Sequence, residues 1–187
     1  MQSSADIRVQ EIKEISSNEL VQFKAIFIRY FSHLYKEISP ATLGVTEPVD
    51  AYLARIFAKT RAALGDNKLK LAFAFLGYEL VGCTTYELLR DTNTVLIRTL
   101  PINILYKEQE LMIRNAYVQH VLRQYPEAQK VLVMVRRANT VHRALCEQGG
   151  FRLYNEIFEQ SKYINSEYSQ QYLAYAHEKS RVCCQIA

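Results

Sequence analysis

Residues Lys130 to Phe151 read KVLVMVRRANTVHRALCEQGGF, and this stretch decides the fold. Val131, Leu132, Val133 and Val135 form a β-branched apolar run of strand length, a turn follows at Asn139, and a short helix closes at Gly149-Gly150-Phe151. Thr140 is placed to cap that helix, and one of the two glycines supplies the left-handed residue that ends it. Strand, turn and glycine-stopped helix together form a unit that builds a site at the strand's carboxyl end.

Working outward, Ile7 to Ile15 alternates as a first strand, and Ser16 with Glu19 forms a capping box that opens a helix through about Tyr35. Leu20, Phe23, Phe27, Tyr30, Phe31 and Leu34 recur at steps of three and four and make one apolar stripe. After a loop with Pro40 and Gly44, a second helix begins near Pro48, carries Tyr52, Leu53, Ile56, Phe57 and Leu64 inward, and stops at Gly65. The period then changes to two. Leu69, Leu71, Phe73 and Phe75 point one way, Gly77-Tyr78-Glu79 turns the chain, and Leu80 to Tyr86 returns as a hairpin partner. Another strand is expected from Thr94 to about Leu100, a helix from about Lys107 to Gln124, and a terminal antiparallel pair at Arg152–Phe158 and roughly Gln171–Ala176.

The pattern Asn-x5-Leu-x4-Gly-Phe, carried by Asn139, Leu145, Gly150 and Phe151, resembles the last motif of the GNAT superfamily of acyl-CoA-dependent N-acyltransferases. Glu79-Leu80-Val81-Gly82 is similar to that family's entry into its third strand, and the order of elements is the family order from end to end. The resemblance implies an α/β fold: a mixed, splayed sheet of about seven strands with helices on both faces, parting near Pro101 and Asn139. It also implies acetyl-CoA or another acyl-CoA as co-substrate and an amine acceptor, a small molecule or a protein.

Carried over residue by residue, the resemblance aligns the diphosphate loop with Lys107-Glu108-Gln109-Glu110-Leu111-Met112. Glu110 and Met112 stand where glycines usually let backbone amides approach the phosphates. There is no glycine between Gly82 and Gly149. Lys107, Gln109, Glu110, Leu111, Met112 and Asn139 are the expected cofactor contacts. Glu108 and Glu110 suit the positive end of a helix and are expected to repel a diphosphate unless Lys107, Arg114 or Arg143 turns inward. Cys146 stands where the family usually has the Tyr that protonates the departing thiolate, so it is the candidate general acid. His142 replaces a small residue, and Glu87, just past the third strand, is a candidate base for the amine. His142 and Cys146, four apart on one helix, also suit a Cys/His nucleophile, though nothing in the sequence orients the His. A catalytically silent binding module on the same scaffold is the competing reading.

At 187 residues and 49% apolar content the chain can bury one good core, so a single domain over residues 1–178 with a tail over 179–187 is expected. Thirteen Tyr, eight Phe and no Trp supply large rings whose hydroxyls need partners. The charge of +4 is uneven: Glu127 is the only acid between 113 and 146, against six Arg and Lys. No aromatic interleaving accompanies these cations, so nucleic acid is not the expected partner. Cys83, Cys146, Cys183 and Cys184 lack metal-ligand spacing, no apolar signal core is present at MQSSADIR, and no run approaches the roughly 18 apolar residues of a membrane span. A reducing, cytoplasmic setting is therefore expected. Cys184-Gln185-Ile186-Ala187 loosely fits a C-a-a-X prenylation box, and association with a membrane is expected only if Cys184 is prenylated.

Overall fold

The computed structural model describes residues 7–154 and 172–179. Seven strands form one sheet in the order β1-β2-β3-β4-β5-β7-β6, namely β1 (Ile7–Ile12), β2 (Lys70–Leu76), β3 (Glu79–Leu89), β4 (Thr94–Thr99), β5 (Lys130–Arg136), β6 (Arg152–Leu153) and β7 (Tyr172–Glu178). All neighbours are antiparallel except β4 and β5, which run parallel and are joined by a helical crossover. Residues 155–171, which include the later part of the strand expected over Arg152–Phe158, and the Cys183–Cys184 tail lie outside the described residues.

Two helices cover one face. α1 (Ser17–Glu37) starts at the capping box: Glu19 N donates to Ser16 Oγ, and Ser16 N donates to the Glu19 carboxylate at 2.9 Å. α2 (Val49–Gly65) follows Pro48, which takes the cap position. Phe23, Phe27, Leu53, Phe57 and Leu64 pack there against Leu71, Phe73 and Cys83. Each buried ring or aliphatic contributes about 1.5–3 kcal/mol, which fixes the two helices to the sheet.

The opposite face shows the other half of the strand alternation. Ala72, Ala74 and Gly82 keep that surface low, so Ile113 and Tyr117 of α3 (Glu110–Gln124) lie close to it. A Cβ at Gly82 would come within 3.2 Å of Ile102 Cδ1 and 3.3 Å of Ile113 Cγ2. α4 (Thr140–Gln148) adds Cys146 to the same core. Helices therefore lie on both faces, in the order of elements read from the sequence.

Two local expectations need correction. The residues from Ile104 to Gln109 form a 3₁₀ turn, begun by Asn103 Oδ1 accepting from Leu105 N, so Lys107 to Gln109 precede α3 and do not belong to it. Asn139, not Thr140, caps α4: its Oδ1 accepts from His142 N at 3.0 Å, and Thr140 is the first helical residue. Gly150, at φ +80°, is the left-handed residue past the helix.

The β4–β5 ladder ends at Ile97 opposite Val133. Beyond it β4 stays with β3, through Thr84 Oγ1 donating to Thr99 O at 2.9 Å and Cys83 N donating to Pro101 O at 3.0 Å. β5 instead continues to Arg136 with β7 as its partner. The two parallel strands thus part, leaving one edge of β4 beside Asn139 without a strand among the described residues. No helix among the described residues is long and apolar enough to cross a membrane.

Candidate active site

A narrow cleft opens where the strands part. Tyr30, His33 and Leu34 of α1 form one wall, Ile102 to Ile104 with Lys107 and Glu110 a second, and Asn139, His142 and Leu145 a third. The space within the cleft is about 30 Å³, room for roughly one water.

Four polar groups, two of them buried and two half-buried, meet at its base. Glu110 and Arg114, one turn apart on α3, are 5% and 6% exposed, and Arg114 Nε donates to Glu110 Oε1 at 2.9 Å. Tyr30 OH donates to the same carboxylate oxygen at 3.1 Å and accepts from Arg114 Nη2 at 3.1 Å. Arg114 Nη1 lies 2.9 Å from His142 Nε2. A guanidinium only donates, so Nε2 is the acceptor and the ring proton is assigned to Nδ1. Burial, and then the charge of Arg114, hold the imidazole well below its ordinary range, so it is neutral. Burial foremost pushes the Tyr30 phenol up to about 12.

Cys146 is 4% exposed, and burial pushes its thiol up to about 11, with Arg114 opposing the shift. Among the described residues no hydrogen bond joins it to His142. Lys107 Nζ donates to Glu37 at 2.7 Å, which is the main reason the Glu37 carboxyl is held below its usual range. Gln109 sits at the α3 cap position without a capping bond, Leu111 is half-buried, and Met112 is exposed. Asn139 is buried at its cap.

These residues fit the two ends of an acyl-CoA differently. The open edge of β4 offers backbone partners to an extended, amide-bearing thioester arm. The start of α3 does not fit the diphosphate. Glu110 N donates to Lys107 O, the glycines are missing, and each candidate cation is already committed: Lys107 to Glu37, Arg114 to Glu110 and Arg143 to Tyr175 OH at 3.2 Å. Glu110 itself does not present its charge outward as the sequence led us to expect, because it is turned in and neutralised by Arg114.

The face of the sheet away from α3 carries a second group of polar side chains. Glu87 is ion-paired with Arg98 on the neighbouring strand. At the end of β5, Arg136 Nη2 donates to Tyr52 OH at 2.7 Å, and its guanidinium lies 5.2 Å from the Tyr172 ring centroid. Tyr35 stands edge-on to Tyr52 at 6.0 Å. Sequence reading named Glu87 but missed the meeting of Tyr35, Tyr52, Arg136 and Tyr172, and also Tyr30, which it assigned to the core stripe. The one available signal was a charge ending an otherwise apolar strand.

A mixed sheet whose single parallel pair splays beside a capped helix defines the GNAT fold, and solved structures bear this out. The PaiA N-acetyltransferase from Thermoplasma acidophilum, in complex with coenzyme A, superposes with a TM-score of 0.65 at 11% identity, covering 93% of this chain and 99% of that one. An acetyltransferase from Thermus thermophilus gives 0.62 at 14%, covering 93% and 97%. The Campylobacter jejuni N-acetyltransferase PseH, in complex with acetyl coenzyme A, gives 0.54 at 15%, covering 93% and 99%. No protein-family model matches the sequence, and no curated protein sequence matches it. At such identities the likeness establishes the fold: this chain is a GNAT-fold protein.

Proposed function

We propose that the chain is an N-acyltransferase, moving an acyl group from an acyl-CoA thioester to an amine. The observation that carries this reading is the parting of β4 and β5 beyond Ile97 and Val133, beside the Asn139-capped helix. The coenzyme A and acetyl coenzyme A complexes of PaiA and PseH support the choice of donor. In the transfer a C–N bond forms and a C–S bond breaks, the amine gives up a proton, and the sulfur gains one. The acyl-CoA supplies the activated carbonyl carbon.

The chain's part is to orient and to move protons. The free backbone edge of β4 after Ile97 is the proposed site for the thioester arm, with Asn139 ordering the facing helix. Cys146 is the proposed acid. A thiol near 11 stays protonated at neutral pH but gives up its proton reluctantly, so its contribution is expected to be small. Glu87 is the proposed base, on the face where the acceptor would lie. The proposed contacts Lys107, Gln109, Glu110, Leu111 and Met112 offer little to a diphosphate, and no step is assigned to that end.

Release of free thiol from acetyl-CoA in the presence of a panel of amines, including spermidine, amino acids and a peptide with a free N-terminus, tests the reading. Turnover above hydrolysis with at least one amine supports it. Hydrolysis-level rates with every amine would favour the competing reading, an inactive binding module, whose specific support is the Glu110–Arg114 pair at the start of α3.

A further inference from the structure

Arg136 ends β5 on the same face as Leu132 and Met134, since alternate strand residues share a side. Three tyrosines from three other elements surround it. Tyr52, in the first turns of α2, accepts from Nη2 at 2.7 Å; Tyr172, directly opposite on β7, presents its ring 5.2 Å from the guanidinium carbon; and Tyr35, near the end of α1, stands against Tyr52. The remaining nitrogen, Nη1, is buried and has no hydrogen-bond partner among the described residues. A buried guanidinium N–H without an acceptor is costly, and tyrosine stacking alone does not require it, because the rings satisfy the face of the cation and not its edge.

We propose that Arg136 is the anchor for a carboxylate on the acceptor, so that the amine acylated here also bears an acid group. One carboxylate oxygen takes the N–H of Nη1, and the tyrosine rings hold the guanidinium plane so that this N–H points in a fixed direction. Neighbouring charge allows it. Glu87, on this face of β3, is ion-paired with Arg98, and Glu47 is ion-paired with Arg55, which lies over the Tyr52 ring, so neither presents an unpaired charge to an incoming acid. The site also lies at the carboxyl end of the strand that parts from β4, on the side opposite α3, so an amine tethered to the bound carboxylate reaches toward the splay. Calling the ligand an acceptor rests on the acyl-transfer reading; the anion site itself does not.

The test is binding without any acyl donor, which keeps its outcome separate from that of the transfer assay. Saturation-transfer NMR on the full chain compares phenylalanine with phenylalaninamide and β-alanine with β-alaninamide, pairs that differ only in the carboxylate. A peptide amide whose sole carboxylate is an aspartate side chain forms a second arm and separates free amino acids from protein acceptors. In at least one arm the acid is expected to bind about tenfold tighter than its carboxamide counterpart, in keeping with a charge-assisted bond in a partly buried site. Arg136→Met removes that preference, and Arg136→Lys, which keeps the charge and most of the bulk, reduces it severalfold. A purely structural Arg136 would change stability in these variants and leave the acid-to-amide ratio alone. Equal binding of acids and amides in both arms, or a preference that survives Arg136→Met, overturns the proposal.

Discussion

Arg114 closes on Glu110 across one turn of α3 at 2.9 Å, and both side chains are almost wholly removed from water. The pair occupies the helix start where a diphosphate-binding member of this fold would place glycine amides, and it ties α3 to α1 through Tyr30 and to α4 through His142. A charge pair so placed is costly to break from one side only. Glu110→Ala, which strands the Arg114 charge, is expected to cost about 3–5 kcal/mol in urea unfolding, whereas Glu110→Leu with Arg114→Met recovers most of that loss. Additive single and double losses would contradict the coupling.

The misfit at the diphosphate end makes a prediction about the donor. The nucleotide half of acetyl-CoA has little to hold, so acetylpantetheine is expected to bind within about tenfold of acetyl-CoA, a difference of about 1.4 kcal/mol or less. Competition between the two in a titration measures the ratio, and a preference for acetyl-CoA of about a thousandfold would show that the α3 start grips the diphosphate after all.

His142 gives the stability an acid limb. Its folded-state pKa lies well below the ordinary 6.5, so the unfolded chain binds the proton more readily. The stability contributed is therefore present above about pH 6.5 and lost as pH falls toward the lowered value. His142→Gln, which still accepts from Arg114, is expected to flatten the decline in urea midpoint between about pH 6.5 and about pH 5. An unchanged slope would place the imidazole in water.

Cys146 acts at the other end of the scale. Its thiol is raised from about 9 to about 11, so the contribution present below about pH 9 is lost as pH rises through that interval. The loss is about 3 kcal/mol, and the difference in unfolding free energy between wild type and Cys146→Ala isolates it from the tyrosines that also titrate there. The same burial predicts slow alkylation at about pH 8 in the native state. Rapid labelling would put the sulfur at the surface of the cleft.

Most of the fold was legible because its elements declare themselves locally. Ser16 and Glu19 cap, Leu71 and Phe73 alternate with Ala72 and Ala74, and Gly150 stops a helix whose apolar residue Cys146 faces the core. The parts that were not legible depend on long-range contacts. Glu110 read as an exposed first-turn acid because burial is invisible locally, although Arg114 four residues on was the available hint. The 3₁₀ turn over Ile104 to Gln109 follows from Asn103 bonding to Leu105, a choice that competes with a helical start on nearly equal terms. Tyr52 and Arg136 meet across a separation of 84 positions, and no periodicity announces such a pair.

Hydrogen exchange during a calorimetric titration with acetyl-CoA tests the central claim most directly. A thioester arm bound along the free edge of β4 is expected to give saturable heat below millimolar donor and to slow exchange at the amides of Arg98, Thr99 or Ile102, beyond the last β4–β5 pair. No heat and unchanged exchange at those amides up to millimolar acetyl-CoA would contradict the acyltransferase account.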